Sequence, residues 1–320
     1  MPESPVICLT IGDPTGIGPE ITAKFLSNLP DNARLLVLGE FESLERTAEQ
    51  LKLSLPQHSG IRYESISANE PGAVAYASLE AATSLIHQGE ASVLVTGPIS
   101  KENLQAAGLS FSGHTEILQY LARKLYHRAY QSDMLFVYQQ FRMLLLTRHV
   151  ALRKVSEELS IPHIQQSIGN LLGFLKEQCA LEKPRLCVLG VNPHAGELDG
   201  DEEERILKPA LKLLSAKYGL ELEPPKAADA VFRGFDINHL PYDAYVAAYH
   251  DQGLIPFKMV AGLSAVNVTI GLPFLRTSVS HGTAPDIVGQ GIADPASLQS
   301  AYELALTFAE KQPIASPLPV

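Results

Sequence analysis

Several functional classes depend on residues that this sequence has in short supply. It contains three cysteines, Cys8, Cys179 and Cys187, and none stands in a Cys-x-x-Cys spacing. Their apolar surroundings predict buried, reduced thiols rather than a disulfide framework or a thiolate metal site. We therefore assign no chemistry to cysteine.

Positive charge and long apolar runs are also lacking. The formal net charge is −10 at pH 7, whereas nucleic-acid binders concentrate Lys and Arg. The longest uncharged stretch, Met259 to Leu275, is broken by glycine, asparagine and proline and is shorter than the roughly 20 apolar residues of a spanning helix. The start, Met-Pro-Glu-Ser-Pro, lacks the basic segment of a secretory signal. We expect a cytoplasmic protein with no nucleic-acid or membrane partner.

A standard dinucleotide-binding loop is lacking as well, because no Gly-x-Gly-x-x-Gly string follows a predicted strand. Residues 12–20 instead read Gly-Asp-Pro-Thr-Gly-Ile-Gly-Pro-Glu and join the first predicted strand to the first predicted helix. The free backbone amides and the helix dipole there can receive an anion or the edge of a cofactor. A plain tight turn with a proline-started helix is an equally compatible interpretation.

The order of predicted elements indicates an α/β protein. Strand-like runs at 6–10, 35–38 and 93–96 alternate with helical patterns at 19–28, 41–51 and 76–88. This alternation predicts a largely parallel sheet. The short connection between 134–138 and 143–147 instead predicts an antiparallel hairpin, so mixed strand directions are expected there. The length of 320 residues predicts two domains.

Three histidines far apart in the sequence share one local context. His149, His194 and His250 each follow a short apolar run and begin a polar turn. We predict that each lies at the carboxyl edge of a strand, where ligands bind in α/β proteins. Imidazole is the commonest protein metal ligand, so the pattern favours a three-histidine site for a divalent ion. Any one of them alone is more often a hydrogen-bonded structural residue.

Other polar residues stand at positions suited to an anion. His114 and Thr115 begin a predicted helix, whose free amides can bind phosphate or carboxylate, although Thr115 could simply cap it. Lys258, Asn267 and Arg276 stand in an otherwise apolar region. A lysine in an apolar setting can lose its proton, and arginine can fork onto an anion, but both could also snorkel to water.

The stretch from His281 to Gly291 is rich in small residues and includes Thr283 and Asp286. Glycines permit close backbone approach, and the polar side chains can hydrogen-bond a flat ligand or a ribose. A glycine-rich loop without a ligand is the alternative.

Six strings, found in order from one end of the chain to the other, resemble the 4-hydroxythreonine-4-phosphate dehydrogenase family of vitamin B6 synthesis. They are Gly-Asp-Pro-Thr-Gly-Ile-Gly-Pro-Glu at 12–20, Val-Thr-Gly-Pro-Ile-Ser-Lys at 95–101, Gly-His-Thr-Glu at 113–116, Asn-Pro-His-Ala-Gly-Glu at 192–197, Tyr-His-Asp-Gln-Gly at 249–253 and Gly-Leu-Pro-Phe-Leu-Arg-Thr-Ser-Val-Ser-His-Gly-Thr-Ala at 271–284. The first and last also resemble the isopropylmalate and isocitrate dehydrogenases. Residues 123–146 carry no strong family string.

The resemblance implies a two-domain isocitrate/isopropylmalate dehydrogenase-like α/β fold with mixed, largely parallel sheets and an interdomain cleft. We predict one domain from 1–112 plus 272–320, which contributes the cofactor loop. The other, 113–271, would contribute substrate binding, the metal site and dimerisation. A homodimer would complete each active site across its subunit interface.

The resemblance also implies roles for individual residues. The metal ligands would be His149, His194 and His250, and the ion would be zinc, cobalt or magnesium. The substrate contacts would be His114, Thr115, Lys258, Asn267 and Arg276. NAD or NADP would lie beside Gly12, Asp13, Gly282, Thr283, Ala284 and Asp286. The catalytic groups would be Lys258, Asp251 and Asp229.

The implied reaction is NAD(P)-dependent oxidation of 4-phosphooxy-L-threonine, a small phosphorylated amino acid, to a 3-keto acid. That acid would decarboxylate to 3-amino-2-oxopropyl phosphate on the route to pyridoxine 5′-phosphate. Sibling enzymes that act on threonate phosphate, erythronate phosphate or a cyclic diol would share these motifs. A three-histidine metallohydrolase for phosphate esters and a non-catalytic metabolite-binding protein are further alternatives.

Overall fold

The computed structural model describes residues 5–311. The strands are β1 Ile7–Thr10, β2 Leu35–Gly39, β3 Ile61–Ser65, β4 Val93–Thr96, β5 Asp133–Tyr138, β6 Phe141–Leu145, β7 Leu186–Val188, β8 Ala244–Ala247, β9 Val266–Ile270 and β10 Leu275–Ser278. The helices are α1 Gly18–Leu26, α2 Phe41–Gln50, α3 Pro71–His87, α4 Lys101–Ala106, α5 His114–Tyr126, α6 Val155–Glu158, α7 Ile161–Cys179, α8 Lys208–Tyr218, α9 Ala228–Val231, α10 His250–Ala261 and α11 Ala296–Lys311. None of the helices within 5–311 has the length and apolar character needed to cross a bilayer.

Two compact units divide the described residues, 5–130 with 272–311 and 131–271. In the first unit the strands lie in the order β3-β2-β1-β4-β10, and every neighbouring pair is parallel. All residues of β1 and β4 are buried, because helices such as α3 and α11 pack against them. The predicted parallel arrangement is confirmed.

The chain leaves the first unit after residue 130. Helix α5 belongs to the first unit because Ile117, Leu118 and Leu121 are fully buried in one apolar cluster with Leu36 and Leu94 of the sheet. The chain returns to the first unit at residue 272.

The second unit has mixed strand directions, in the order β9-β5-β6-β8-β7. Strand β5 is antiparallel to both β9 and β6, whereas β6, β8 and β7 run parallel. The predicted hairpin at residues 134–147 is therefore confirmed, with its turn between Tyr138 and Phe141. Aromatic rings fill the core beneath it, with Phe141 centred 5.3 Å from Tyr245 and 4.9 Å from Phe257.

Helix α10 lies close against this part of the sheet. A Cβ at Gly253 would come within 3.0 Å of the side chains of Leu145, Ala247 and Met143, so only glycine lets the helix approach this closely. The helix also contains Pro256, which cannot donate a helical hydrogen bond. Its conformation depends on packing rather than on its own propensity.

The turn between β1 and α1 is held by a buried carboxylate. Asp13 is 0% exposed, and its Oδ1 accepts hydrogen bonds from the backbone and hydroxyl of Thr15 at 2.9 and 2.6 Å. Its Oδ2 accepts one from Asn103 of α4 at 2.7 Å. Gly12 has a φ of +89°, and a Cβ there would lie 2.2 Å from the carbonyl oxygen of Pro98. The turn is thus fixed by its own hydrogen bonds and by close backbone contact.

Replacing Asn103 by alanine should destabilise the protein, because it leaves the buried Asp13 Oδ2 without this donor. We expect a loss of about 1–3 kcal/mol, measured by urea unfolding. The matched control is Asn238→Ala, whose amide bonds the exposed Asp236 carboxylate at 3.1 Å and should change stability far less. Equal effects from the two variants would contradict this account of the turn.

Candidate active site

The three candidate histidines follow the three parallel strands of the second unit. Strand β6 precedes His149, β7 precedes His194 and β8 precedes His250, and the two pairings among these strands are parallel. Their carboxyl ends therefore share one edge of the sheet. This common edge is the position that the sequence pattern predicted for each histidine.

His149 and His250 are brought together. Their ring centroids are 5.7 Å apart, and both line a cavity of about 370 Å³. Nδ1 of His250 lies 2.7 Å from Oδ1 of Asp251. A carboxylate in this position orients the ring and leaves Nε2 as the nitrogen with a lone pair for a ligand. This donor set fits a divalent ion that prefers imidazole.

His194 lines a different cavity, of about 420 Å³, which it shares with Glu197, Lys226 and Tyr242. The backbone of His194 and the following Ala195 is left-handed, with φ of 55° and 54°, a conformation that costs free energy in non-glycine residues and recurs at functional sites. Within residues 5–311 no three His, Cys, Asp or Glu side chains of one copy are grouped to hold a metal ion. The complete three-histidine set stays a prediction.

Arg276 is the most deeply buried candidate for substrate binding. It lies on β10 at 2% exposure, and its Nε and one terminal nitrogen donate to Oγ1 of Thr96 at 3.0 and 2.6 Å. Burial lowers its pKa to about 9, which leaves the side chain cationic at neutral pH. A buried guanidinium is a strong local attractor for an anion. Snorkelling to water is excluded for this residue.

His114 lies beside this cation at the start of α5, as the sequence predicted. Burial, and next the nearby charge of Arg276, lower the pKa of His114 well below its usual value, despite a hydrogen bond with the backbone of Gly97. The ring is therefore uncharged at neutral pH. Its Nε2 is buried without a hydrogen-bond partner among the described residues, which indicates a place for a ligand atom. Thr115 is half-buried next to it.

Lys258 and Asn267 lie in the second unit. Lys258 is exposed in the last turn of α10, so the apolar setting expected for it is wrong within one copy of the chain, because this face of the helix points to solvent. Asn267 lies half-buried on β9, paired in register with Phe136.

The two supporting acids differ in their surroundings. Asp251 bonds His250, as described, whereas Asp229 is exposed on the short helix α9. Its neighbours Ala227 and Ala230 line the cavity of His194. Their catalytic roles stay predictions.

The predicted cofactor loop follows β10. Gly282 and Gly289 face open space, since a Cβ at either would meet no atom within 4 Å. Val288 and Ile292 expose apolar side chains, and Nε2 of the neighbouring His281 is buried without a partner among the described residues. The accessible backbone at the glycines, the exposed apolar side chains and the unpartnered nitrogen of His281 are together suited to contact the edge of a dinucleotide.

Individual positions in and around this loop vary in exposure. Ala284 adopts the left-handed conformation with a φ of 42°, and Asp286 is exposed. The carboxylate of Asp13, by contrast, is committed to shaping its own turn. Contacts of any of these residues with a cofactor stay predictions.

No sequence pattern predicted a role for Thr96 or Asn103. The hydroxyl of Thr96 accepts hydrogen bonds from Arg276, and the amide of Asn103 donates one to Asp13. Thr96 ends a buried strand and Asn103 lies in the first turn of α4. The one available signal for Thr96 was its place in the string at 95–101. Nothing local distinguishes Asn103, because its partner is distant in sequence.

Comparison with known proteins agrees with the resemblance seen in the motifs. A 4-hydroxythreonine-4-phosphate dehydrogenase from Thermosynechococcus vestitus is 38% identical over 95% of this chain and 97% of its own length. A D-threonate 4-phosphate dehydrogenase from Salmonella typhimurium is 37% identical over 96% and 100%. The crystal structure of the 4-hydroxythreonine-4-phosphate dehydrogenase from Klebsiella pneumoniae superposes with a TM-score of 0.83 at 34% identity, covering 96% of this chain and 100% of that one.

The predicted α/β fold with a mixed, largely parallel sheet is thus confirmed by a solved structure as well as by the observed sheet order. The family model described as pyridoxal phosphate biosynthetic protein PdxA matches residues 21–305. That range spans both units, and five of the six motif strings lie wholly within it. On this evidence the chain belongs to the PdxA family of pyridoxal phosphate biosynthetic proteins.

Proposed function

We propose that this protein is an NAD(P)-dependent dehydrogenase that oxidises 4-phosphooxy-L-threonine. The secondary hydroxyl loses its carbon-bound hydrogen as hydride to NAD(P)⁺ and its oxygen-bound hydrogen as a proton. The resulting 3-keto acid then loses its carboxylate as carbon dioxide and takes up a proton at the same carbon, leaving 3-amino-2-oxopropyl phosphate for pyridoxine 5′-phosphate biosynthesis. Membership of the PdxA family and the name of the Thermosynechococcus relative support this choice.

The observation that carries the proposal is the buried cation on β10 of the first unit. Arg276 is held by Thr96 and faces the uncharged ring of His114, so an anionic group of the substrate would meet a fixed positive charge already removed from water. The unpartnered Nε2 of His114 can accept a hydrogen bond in that state. Thr115, at the start of α5, adds a hydroxyl and free helical amides.

Proton handling is assigned to the second unit. We propose that Lys258, or a water that it holds, accepts the proton of the reacting hydroxyl, with Asn267 contacting the substrate and Asp251 and Asp229 in support. Asp251 fixes the ring of His250 through the 2.7 Å contact. A divalent ion such as zinc, cobalt or magnesium, held by His149, His194 and His250, would supply Lewis-acid polarisation of the substrate oxygens.

We propose further that the protein works in the cytoplasm as a homodimer whose subunits complete each other's sites. Within one copy, His194 lines a different cavity from His149 and His250, and Lys258 is exposed. The same helix exposes Ile255 by 60% and Met259 by 82%, an apolar surface suited to burial against a second copy.

The second candidate is a sibling reaction on threonate 4-phosphate. The Salmonella relative bears that name at nearly the same identity as the Thermosynechococcus one. The two substrates differ at the amino group, so discrimination depends on whether a buried polar partner is left unsatisfied. Arg276 and His114 do not distinguish them.

Turnover assays with matched substrates test the function. Purified protein with a divalent metal and NAD⁺ or NADP⁺ should form reduced cofactor from 4-phosphooxy-L-threonine faster than from D-threonate 4-phosphate, erythronate 4-phosphate or a cyclic diol. Preference for threonate phosphate would replace the first candidate with the second. Phosphate release without cofactor reduction would instead indicate a metallohydrolase.

Removal of one proposed metal ligand should separate metal binding from folding. We expect His194→Ala to weaken zinc or cobalt binding in calorimetry by more than the roughly 10–100-fold that loss of an orienting partner costs, and to abolish turnover with the fold retained. His239→Ala, at an 84% exposed imidazole, is the control. Wild-type turnover by His194→Ala after metal is stripped and restored would refute the ligand assignment.

A charge placed on α10 should prevent association of the two copies. The wild-type mass in light scattering should be twice the 34.7 kDa of one chain. Met259→Asp should shift it toward the monomer and lower turnover, because a buried unpaired carboxylate opposes assembly. Leu213→Asp, at a residue 50% exposed on α8, is the control. A monomeric wild type with full activity would contradict the shared site.

A further inference from the structure

The segment from Gly282 to Ala293 has little regular structure of its own. It contains one short helical turn, Pro285–Ile287, and its internal backbone hydrogen bonds are two of 3.2 Å, from Ile287 to Ala284 and from Gln290 to Ile287. We call residues 282–293 the glycine loop. With so few internal bonds, its shape must be set by contacts from elsewhere in the first unit.

Those contacts come from α1 and the turn before it. At one end of the glycine loop, the backbone N–H of Ile17 donates to the carbonyl of Thr283 at 3.0 Å. Gly16 lies directly beneath, where a Cβ would approach Cβ of Thr283 to 2.8 Å. This end is therefore anchored by backbone contact that tolerates no side chain at position 16.

The other end is held by a charged pair on α1. Nζ of Lys24 donates to the carbonyls of Gly291 and Ala293 at 2.8 and 2.7 Å and to Oε1 of Glu20 at 2.8 Å. The same Glu20 oxygen accepts the backbone N–H of Ala293 at 2.8 Å. The side chains of Glu20 and Lys24 are only 4% and 22% exposed.

We infer that Glu20 and Lys24 are positioning residues for the dinucleotide, acting through the glycine loop. Their hydrogen bonds described above go to each other and to the end of the glycine loop. They tie down the end of a loop whose middle, including Asp286, Val288 and Gln290, is exposed. This inference rests on the proposed function, in which the loop contacts NAD(P).

Lys24 and Glu20 would act by holding the glycine loop in its binding conformation before the cofactor arrives. Charge-assisted hydrogen bonds between partly buried groups are about twice as strong as neutral ones, and Lys24 satisfies two loop carbonyls together with a buried carboxylate. Without Lys24 that carboxylate loses its cation, and the loop end loses two of its anchors. Cofactor binding would then have to order the loop. The conformational entropy lost in ordering it would weaken cofactor affinity.

The test is direct titration of NADH by its own fluorescence, which is simplified because the chain contains no tryptophan. We expect Lys24→Met to raise the Kd for NADH on the order of tenfold, and Glu20→Gln to raise it by less. KM for NAD⁺ should rise in parallel, while kcat and KM for the phosphorylated substrate change little. Lys124→Met, which removes an exposed pair with Glu80, is the matched control and should leave the Kd unchanged.

A merely structural role for the pair would lower the melting temperature and the fraction of binding-competent protein without changing the Kd. That result, or folded Lys24→Met or Glu20→Gln protein binding NADH like the wild type, overturns the inference. If Lys24→Met does not fold, Glu20→Gln alone decides. A wild type that does not bind NADH overturns the proposed cofactor as well, so the two failures are distinguishable.

Discussion

Parallel strand pairing is the constraint on which the candidate sites depend. In parallel strands all carboxyl ends lie at one edge, and the loops that leave this edge carry the candidate residues. In the first unit β1, β4 and β10 lead to the turn at 12–17, to Thr96 and to the glycine loop. In the second unit β6, β7 and β8 lead to the three histidines. Residues that are distant in the sequence therefore lie near one another at the carboxyl ends of the strands within each unit.

The first unit contains several buried charged side chains. Arg276, Asp13 and Glu20 are all nearly or fully removed from solvent, which is costly unless hydrogen bonds replace the lost water. Asp13 and Glu20 receive those bonds from the chain itself and so fix the shape of loops. Nε2 of His114, beside Arg276, is instead a buried nitrogen without a partner among the described residues. The same physics therefore separates groups that shape the site from groups suited to hold substrate.

The sequence was informative where structure is decided locally. The hairpin before His149 was readable from a short connection between two apolar runs, and the parallel strands of the first unit were readable from the alternation of strand-like and helical patterns. The packing of the apolar face of α5 could not be predicted locally, because its partners Leu36 and Leu94 are distant in sequence. The exposure of Lys258 and the contacts of Lys24 could not be predicted from the sequence either. Two partners of Lys24 lie more than 260 residues away along the chain.

The position of His250 depends on the packing of helix α10 against the sheet. With glycine and proline in its middle, this segment is a poor helix in isolation, and it is held by the strands on which Gly253 rests. The imidazole that begins it is therefore presented only after β6 and β8 have paired. The pairing of two strands therefore decides where the ring of a residue outside the sheet lies.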